Sequence, residues 1–151
     1  MQKKYWDDLH EDQQLCCAPV VLSQQEIIDF ARRYDPQEFH IDEAAESTLR
    51  FGGIIASSLQ TLSACTRVLV DAQGELAIIS GLGIEQVQLP NPVRPSDELQ
   101  VQAHWTALRR SQSKPDRGLA TLRFKAVNQR GEIVLESGFK YLIGCRAASD
   151  S

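Results

Sequence analysis

A carboxylate and an imidazole lie five positions apart in the segment Asp35-Pro36-Gln37-Glu38-Phe39-His40. The proline rules out one continuous helix through the segment, so both side chains can face the same pocket. A histidine exchanges its proton near neutral pH, and a neighbouring carboxylate can fix the tautomer of the ring or accept a proton itself. Asp35 and His40 are therefore candidate acid and base groups acting on a bound water molecule.

The spacing of these two residues leaves a second interpretation open, because an aspartate before a proline is common in turns. In that interpretation Asp35 belongs to a turn and His40 is a surface residue. Two features of the surrounding sequence favour the catalytic interpretation. Apolar Phe39 and Ile41 flank His40, which favours partial burial of the ring, and a glycine turn then leads into a very apolar segment.

That apolar segment, from about Ala56 to Val70, has the periodicity of a buried helix with Arg67 as its only charge. The first N–H groups of such a helix, at Ser57, Ser58 and Leu59, carry partial positive charge and are free to stabilise a carbonyl oxygen that gains negative charge. The alternative is that Ser57 or Ser58 only caps the helix. Both roles are compatible, since capping leaves other N–H groups free.

The elements before the apolar helix would position Asp35 and His40. Ser23 and Glu26 form a capping-box pattern that starts a helix, and Pro36 ends it near Asp35. An edge strand is expected before this helix, at residues 19–22. A short second helix at residues 43–46, capped by Asp42, is expected before the turn at residues 51–53.

The second half of the chain changes to the two-residue period of strands. Strands are predicted at residues 79–89, 99–107, 120–126 and 133–143, with a loop at 111–118 and a hairpin turn at 128–131. Helices followed by long antiparallel strands predict an α+β domain, and the apolar helix suggests that the sheet curls around it, as in the hot-dog fold. The pattern alone leaves other α+β sandwiches open.

The bulk properties limit the class of protein. The 151 residues, of which 42% are hydrophobic, fit a single domain over 1–151, with flexible ends expected at about 1–14 and 146–151. A net charge of −4 without a basic run argues against a nucleic-acid partner.

No segment has the pattern of a secretion signal or a membrane span, so we expect a cytoplasmic protein without a membrane partner. The four cysteines and three histidines lack metal-ligand spacing, so we predict reduced cysteines and no metal.

Three separated blocks resemble the MaoC-like dehydratase family, of the (R)-specific enoyl-CoA hydratase type, in their order and spacing. They are residues 34–42 (YDPQEFHID), 51–57 (FGGIIAS) and 92–97 (PVRPSD), and the turn at 128–132 (NQRGE) is similar to the final hairpin of that family. The resemblance covers nearly the whole chain.

The resemblance implies a single hot-dog fold, with a curved antiparallel β-sheet wrapped around a long central helix. It also implies a homodimer or a larger assembly of dimers, and reversible syn addition of water to a trans-2-enoyl thioester of CoA or acyl-carrier protein. Asp35 and His40 would be catalytic, the amides of Ser57, Ser58 and Leu59 would bind the thioester oxygen, and Phe39, Phe51 and Gly53 would line the substrate pocket. No cofactor would be needed.

The sequence departs from the family pattern at two places. The family motif reads Asp-x-Asn-Pro-x-His, whereas this chain has Pro36 and Gln37 in the two positions after the aspartate, and Ser58 stands where a glycine is common. The Ser58 departure leaves open a non-catalytic protein that binds acyl thioesters. A hot-dog thioesterase is a second alternative, but such enzymes place a carboxylate on or near the central helix, and residues 54–70 contain no Asp or Glu. Arg94 is a candidate for contact with a phosphate of CoA, and a solvated surface arginine is the alternative.

Overall fold

The computed structural model describes residues 2–148, which form four α-helices and six β-strands. The helices are α1 (Gln24–Tyr34), α2 (Glu38–Ile41), α3 (Glu46–Arg50) and α4 (Ser58–Gln73). The strands are β1 (Gln14–Cys16), β2 (Val20–Val21), β3 (Ile78–Ile84), β4 (Glu98–Arg110), β5 (Arg117–Val127) and β6 (Ile133–Gly144).

The strands form one antiparallel sheet in the order β1-β4-β5-β6-β3, and β2 pairs with the start of β4. Along β4 the apolar residues Val101, Ala103 and Trp105 are buried, whereas Gln102 and His104 between them are exposed. This alternation places one face of the sheet on the core and the other in water. The predicted α+β fold, with a sheet around a central helix, is confirmed.

The central helix α4 starts two residues later than predicted and continues to Gln73. Its residues Cys65 and Leu69 are fully buried against the sheet and belong to the main core. Leu59 and Val70 are 55% and 49% exposed, so the helix that the sequence predicted to be buried is only partly covered by its own chain.

Two predicted boundaries are also wrong. The short helix expected at 43–46 is a turn, in which Asp42 Oδ1 accepts a hydrogen bond from Ala44 N at 2.9 Å, and helices form on either side of it. The strand expected at 79–89 ends at Ile84 after two register irregularities, and only Gln88 makes a further bridge, to Glu136.

The amino-terminal segment, expected to be a flexible end, packs against the sheet in the structure. Residues Trp6–Asp8 form a 3₁₀ helix, and Trp6 Nε1 donates to Leu119 O at 2.9 Å. Arg146, in the other expected end, pairs with Asp8 at 2.5 Å. The last part of that end, residues 149–151, lies outside the described residues.

Candidate active site

Asp35 takes its position from the end of α1. Ser23 caps the start of this helix and Glu26 completes the capping box, as predicted. At the other end Asp35 N still donates to Ala31 O at 2.8 Å, but the φ and ψ angles of Asp35 are −150° and 68°, outside the helical region. Pro36 disfavours helical geometry at the preceding residue, so the chain turns away and the carboxylate leaves the helix axis.

His40 lies in the one-turn helix α2 and is only 4% exposed. Its Nδ1 lies 2.6 Å from the carbonyl oxygen of Ile55, and its Nε2 lies 3.3 Å from Asp35 Oδ2. The segment around Ile55 is itself held by a hydrogen bond from Ile55 N to Phe39 O at 3.1 Å. The structure thus brings together the carboxylate and imidazole that the sequence singled out.

The Ile55 carbonyl determines which tautomer the ring adopts. A carbonyl only accepts hydrogen bonds, so Nδ1 must carry a proton, and a neutral His40 presents a lone pair at Nε2. This lone pair faces Asp35 Oδ2, which is also an acceptor when ionised. Two acceptors this close repel unless a proton lies between them or a water molecule beside the pair donates one hydrogen to each.

Asp35 is held in its ionised form. The hydroxyl of Ser57 donates to Oδ2 at 2.7 Å and the amide of Gln37 donates to Oδ1 at 2.7 Å. These two hydrogen bonds, the Ser57 bond foremost, lower the pKa of Asp35 below its ordinary value, and a proton on Nε2 of the nearby His40 adds to the effect. Asp35 is therefore a carboxylate at neutral pH, which suits an acceptor of hydrogen bonds rather than an acid.

The start of α4 differs in part from the expected oxyanion site. Ser57 is the fully buried N-cap, and its Oγ accepts from Leu59 N at 3.3 Å. The Leu59 amide is therefore occupied by the cap, and the Leu59 side chain is exposed, so Leu59 is not the expected free donor. Ser58 lines the cavity beside Asp35 and His40, and its N–H has no hydrogen-bond partner in the part of the chain that the structure describes.

A cavity of about 410 Å³ opens in front of the dyad. The Phe39 ring contacts His40 and Phe51 edge-on, with centroid separations of 4.5 and 5.4 Å. Gly53, expected in the wall, is not among the lining residues; its φ of +138° serves the turn before α4. The lining residues are Asp35, Gln37, Phe39, His40, Phe51, Ile55, Ala56, Ser58, Thr61, Leu89, Pro90, Asn91, Pro92, Val93 and Val134.

Several residues that shape the site were missed from the sequence. The Ser57 hydroxyl and the Gln37 amide hold Asp35. The sequence indicated Ser57 only as an amide donor or a helix cap, and Gln37 only as a departure from the family pattern. The Asp-Pro-Gln order was the available signal, because an amide two residues after an aspartate can reach back across the turn. No local signal pointed to the Ile55 carbonyl.

The structure also shows what lies outside this site. A second cavity of about 410 Å³ lies between Leu9, Gln73 and Trp105, and its charged lining residues include Asp8 and Arg146, which pair with each other.

All four cysteines are free, as predicted. Within residues 2–148, no three His, Cys, Asp or Glu side chains group as metal ligands, and no described helix is long and apolar enough to cross a membrane.

Comparison with known proteins identifies relatives over most of the chain. The model of the MaoC like domain family matches residues 8–126. The uncharacterized protein YdeM of Bacillus subtilis (strain 168) is 33% identical over an alignment of 127 residues, and the match covers 81% of this chain and 86% of YdeM. These two matches agree on the region that carries the dyad and the central helix.

Solved structures show the same fold. The MaoC-like dehydratase from Rhodospirillum rubrum is 37% identical and superposes with a TM-score of 0.86, covering 96% of this chain and 99% of that protein. The (R)-hydratase from A. caviae involved in PHA biosynthesis is 24% identical, with a TM-score of 0.72 over 89% of this chain and 96% of its own. At that identity, the second likeness supports the fold alone.

Proposed function

The chain belongs to the MaoC-like domain family, and on this basis we propose that it is a hydro-lyase that adds water reversibly to a trans-2-enoyl thioester of CoA or acyl-carrier protein. The product is a 3-hydroxyacyl thioester of the (R) configuration. The observation that carries the proposal is the pair of acceptors, His40 Nε2 and Asp35 Oδ2, 3.3 Å apart on the wall of a cavity that Ser58 at the start of α4 also lines.

The two acceptors orient the water that attacks. Water donates one hydrogen to His40 Nε2 and the other to Asp35 Oδ2, which leaves an oxygen lone pair for the β-carbon of the substrate. As the C–O bond forms, Nε2 takes the first proton and the α,β double bond shifts its electrons toward the thioester carbonyl. Asp35, still ionised, stabilises the imidazolium that results.

The second half of the reaction returns the proton. His40 Nε2 gives its proton to the α-carbon from the same face on which the water attacked, so the addition is syn and the ring regains its neutral form. Between the two steps the thioester oxygen carries negative charge, and the free Ser58 N–H, at the positive end of α4, stabilises it.

A direct assay tests this proposal. Purified protein is mixed with crotonyl-CoA, and the loss of enoyl absorbance is followed together with the appearance of 3-hydroxybutyryl-CoA by chromatography. We expect both. Release of free CoA thiol in place of the hydroxyacyl product would identify a thioesterase, and binding without either product would identify a non-catalytic binder.

Within residues 2–148, the central helix carries no carboxylate close to the dyad, which argues against the thioesterase alternative. Hot-dog thioesterases place a carboxylate on or near the central helix, and the carboxylate on α4 here is Asp71. Asp71 lies in the last turn of the helix, away from Ser58, and pairs with Arg67 at 2.9 Å. It is thus exposed at the far end from the dyad and cannot reach a thioester bound there.

Removal of the Ser57 hydroxyl tests how Asp35 is held. We expect Ser57→Ala to lower kcat about ten-fold with little change in KM, because one hydrogen bond to a charged carboxylate is lost. The loss also raises the pKa of Asp35, so the acid limb of the pH–rate profile moves to higher pH.

Ser63→Ala is the matched control for this variant, since Ser63 Oγ donates only to a carbonyl of the same helix, Leu59 O, at 2.8 Å. Thermal unfolding measures the cost of the lost cap, which is about 1 kcal/mol. An unchanged pH profile in Ser57→Ala would show that the hydroxyl only caps the helix.

The homodimer expected from the family has a candidate interface at the edge strand β3. Strand β3 is the edge strand beyond β6, and it exposes Ile79, Leu82 and Ile84 by 49%, 53% and 58%. Val70 of α4 is 49% exposed as well. An exposed apolar edge strand is a template for pairing with another chain, and we propose that a second copy covers it.

Introduction of a charge on this edge tests the dimer. We expect the native protein to have twice the mass of one 16.9 kDa chain in light scattering, and Ile84→Glu to shift it toward the monomer. Glu98→Lys, which changes the charge of an exposed residue on β4, is the control and should remain dimeric. A monomeric native protein would contradict this proposal.

A further inference from the structure

Arg94 lies in a loop that forms part of the wall of the active-site cavity. The two residues before it, Pro92 and Val93, line the cavity. Hydrogen bonds fix the loop on both sides of Arg94: Ala56 N donates to Val93 O at 2.8 Å, and Arg94 N donates to Asp97 Oδ2 at 2.9 Å. The position of the Arg94 backbone is therefore set by the same framework that leads into α4.

The guanidinium of Arg94 packs beside the glycine turn at the rim of this cavity. A methyl group at Gly52 would lie 3.9 Å from both Nη1 and Nη2 of Arg94. Gly52 has a φ of +77° and directly follows Phe51, whose ring lines the cavity. The positive group thus lies next to the aromatic rim and not on a remote surface.

The Arg94 side chain has no counter-charge in residues 2–148. No carboxylate there lies within 4.0 Å of it, and it donates no hydrogen bond to a described residue. Asp97, three residues further on, uses Oδ1 for Gln129 at 2.8 Å and for Arg130 at 3.4 Å.

Two neighbouring arginines, in contrast, are paired with carboxylates. Arg50, in the helix just before the glycine turn, pairs with Glu46 at 3.0 Å, and Arg130 pairs with Glu132 at 2.7 Å. Arg94, which is half-buried, is thus left with its donors available. A planar guanidinium with several free N–H groups matches the oxygens of a phosphate, with which it forms charge-assisted hydrogen bonds.

We propose that Arg94 binds the phosphate at the end of the pantetheine arm of the substrate and thereby selects thioesters of phosphorylated carriers. This inference rests on the proposed function, because it assumes that the acyl group enters the cavity and that the carrier arm leaves across the rim. The phosphate next to pantetheine is common to CoA and to acyl-carrier protein. Arg94 is thus a specificity residue and takes no part in proton transfer.

Three substrates with the same crotonyl group separate the sources of phosphate. Crotonyl-pantetheine carries none, crotonyl-phosphopantetheine carries the phosphate shared by both carriers, and crotonyl-CoA adds the nucleotide. We expect Arg94→Gln to raise KM about ten-fold for the two phosphorylated substrates. We expect kcat for all three substrates, and KM for crotonyl-pantetheine, to stay within about two-fold of the native values. The ten-fold difference in KM between Arg94→Gln and the native protein should shrink as salt is added.

Arg50→Gln is the matched control. It removes an arginine of the same region whose guanidinium is already paired with Glu46, so the KM values of this variant should equal those of the native protein. An equal rise of KM for all three substrates would overturn the proposal and assign Arg94 a structural role. A rise for crotonyl-CoA alone would overturn the shared-phosphate assignment, since the contact would then be with the nucleotide. If the native protein turns over none of the three, the proposed function itself fails.

Discussion

We expect His40→Ala and Asp35→Asn each to lower kcat for hydration of crotonyl-CoA by at least about a thousand-fold. Without the imidazole, the proton of the attacking water has only Asp35 to accept it, and the lowered pKa of Asp35 makes this carboxylate a weak base. Asp35→Asn keeps the shape of the side chain but removes the charge that stabilises the imidazolium. Its amide nitrogen can also donate to Nε2 and occupy the lone pair that should bind water.

The losses of kcat in His40→Ala and Asp35→Asn should not be additive. If both residues act on one water, the double variant falls little further than the single variants, because either change already abolishes the same step. Asp29→Asn and His104→Ala, which change the same residue types at exposed positions, are the controls and should keep full activity. Binding of crotonyl-CoA, measured by calorimetry, should survive in all of these variants, since the thioester contacts remain.

Replacement of Ser58 by proline should lower kcat/KM by about a hundred-fold or more, the usual cost of losing one oxyanion donor. Proline removes the N–H at this position together with the Ser58 hydroxyl, and the first residue of a helix accepts proline without strain. Ser57, just before it, has φ and ψ angles of −60° and 136°, which is the extended geometry that a following proline favours. The variant therefore deletes a single backbone donor from an otherwise intact helix start.

Two variants at the same position complete this test. Ser58→Ala keeps the N–H and removes the hydroxyl, and Ser58→Gly restores the residue that is common in the family. We expect both to remain within about three-fold of the native kcat/KM, because the backbone donor is present in each. Similar activity in the proline and alanine variants, with unchanged thermal unfolding, would exclude the Ser58 amide as the oxyanion donor.

The parts of the fold that the sequence predicted well are those with strong local signals. The Ser23–Glu26 capping box and the Asp35-Pro36 pair determine where α1 begins and ends through contacts within a few residues. The alternation along β4 reports burial on one face of a sheet, so its inner and outer residues could be assigned without coordinates. The end of α1, which the sequence predicted, leads directly into α2 and so brings Asp35 close to His40.

The parts that were missed depend on contacts between distant segments. The tautomer of His40 depends on the Ile55 carbonyl, 15 residues further along the chain, and the orientation of Asp35 depends on Ser57, which lies 22 residues away. Leu59 was expected to offer a free amide, but the Ser57 hydroxyl that holds Asp35 also takes the Leu59 N–H. Pattern reasoning locates a helix start, whereas only the side-chain geometry shows which of its amides is left free.

The central claim is that Asp35 and His40 direct one water molecule onto an enoyl thioester. Its most direct test is to incubate the native protein with crotonyl-CoA in water labelled with heavy oxygen and to analyse the product by chiral chromatography and mass spectrometry. We predict (R)-3-hydroxybutyryl-CoA with one labelled oxygen on the β-carbon, formed by the native protein and not by His40→Ala. Free crotonate with the label in its carboxyl group, or full activity in His40→Ala, would contradict the account.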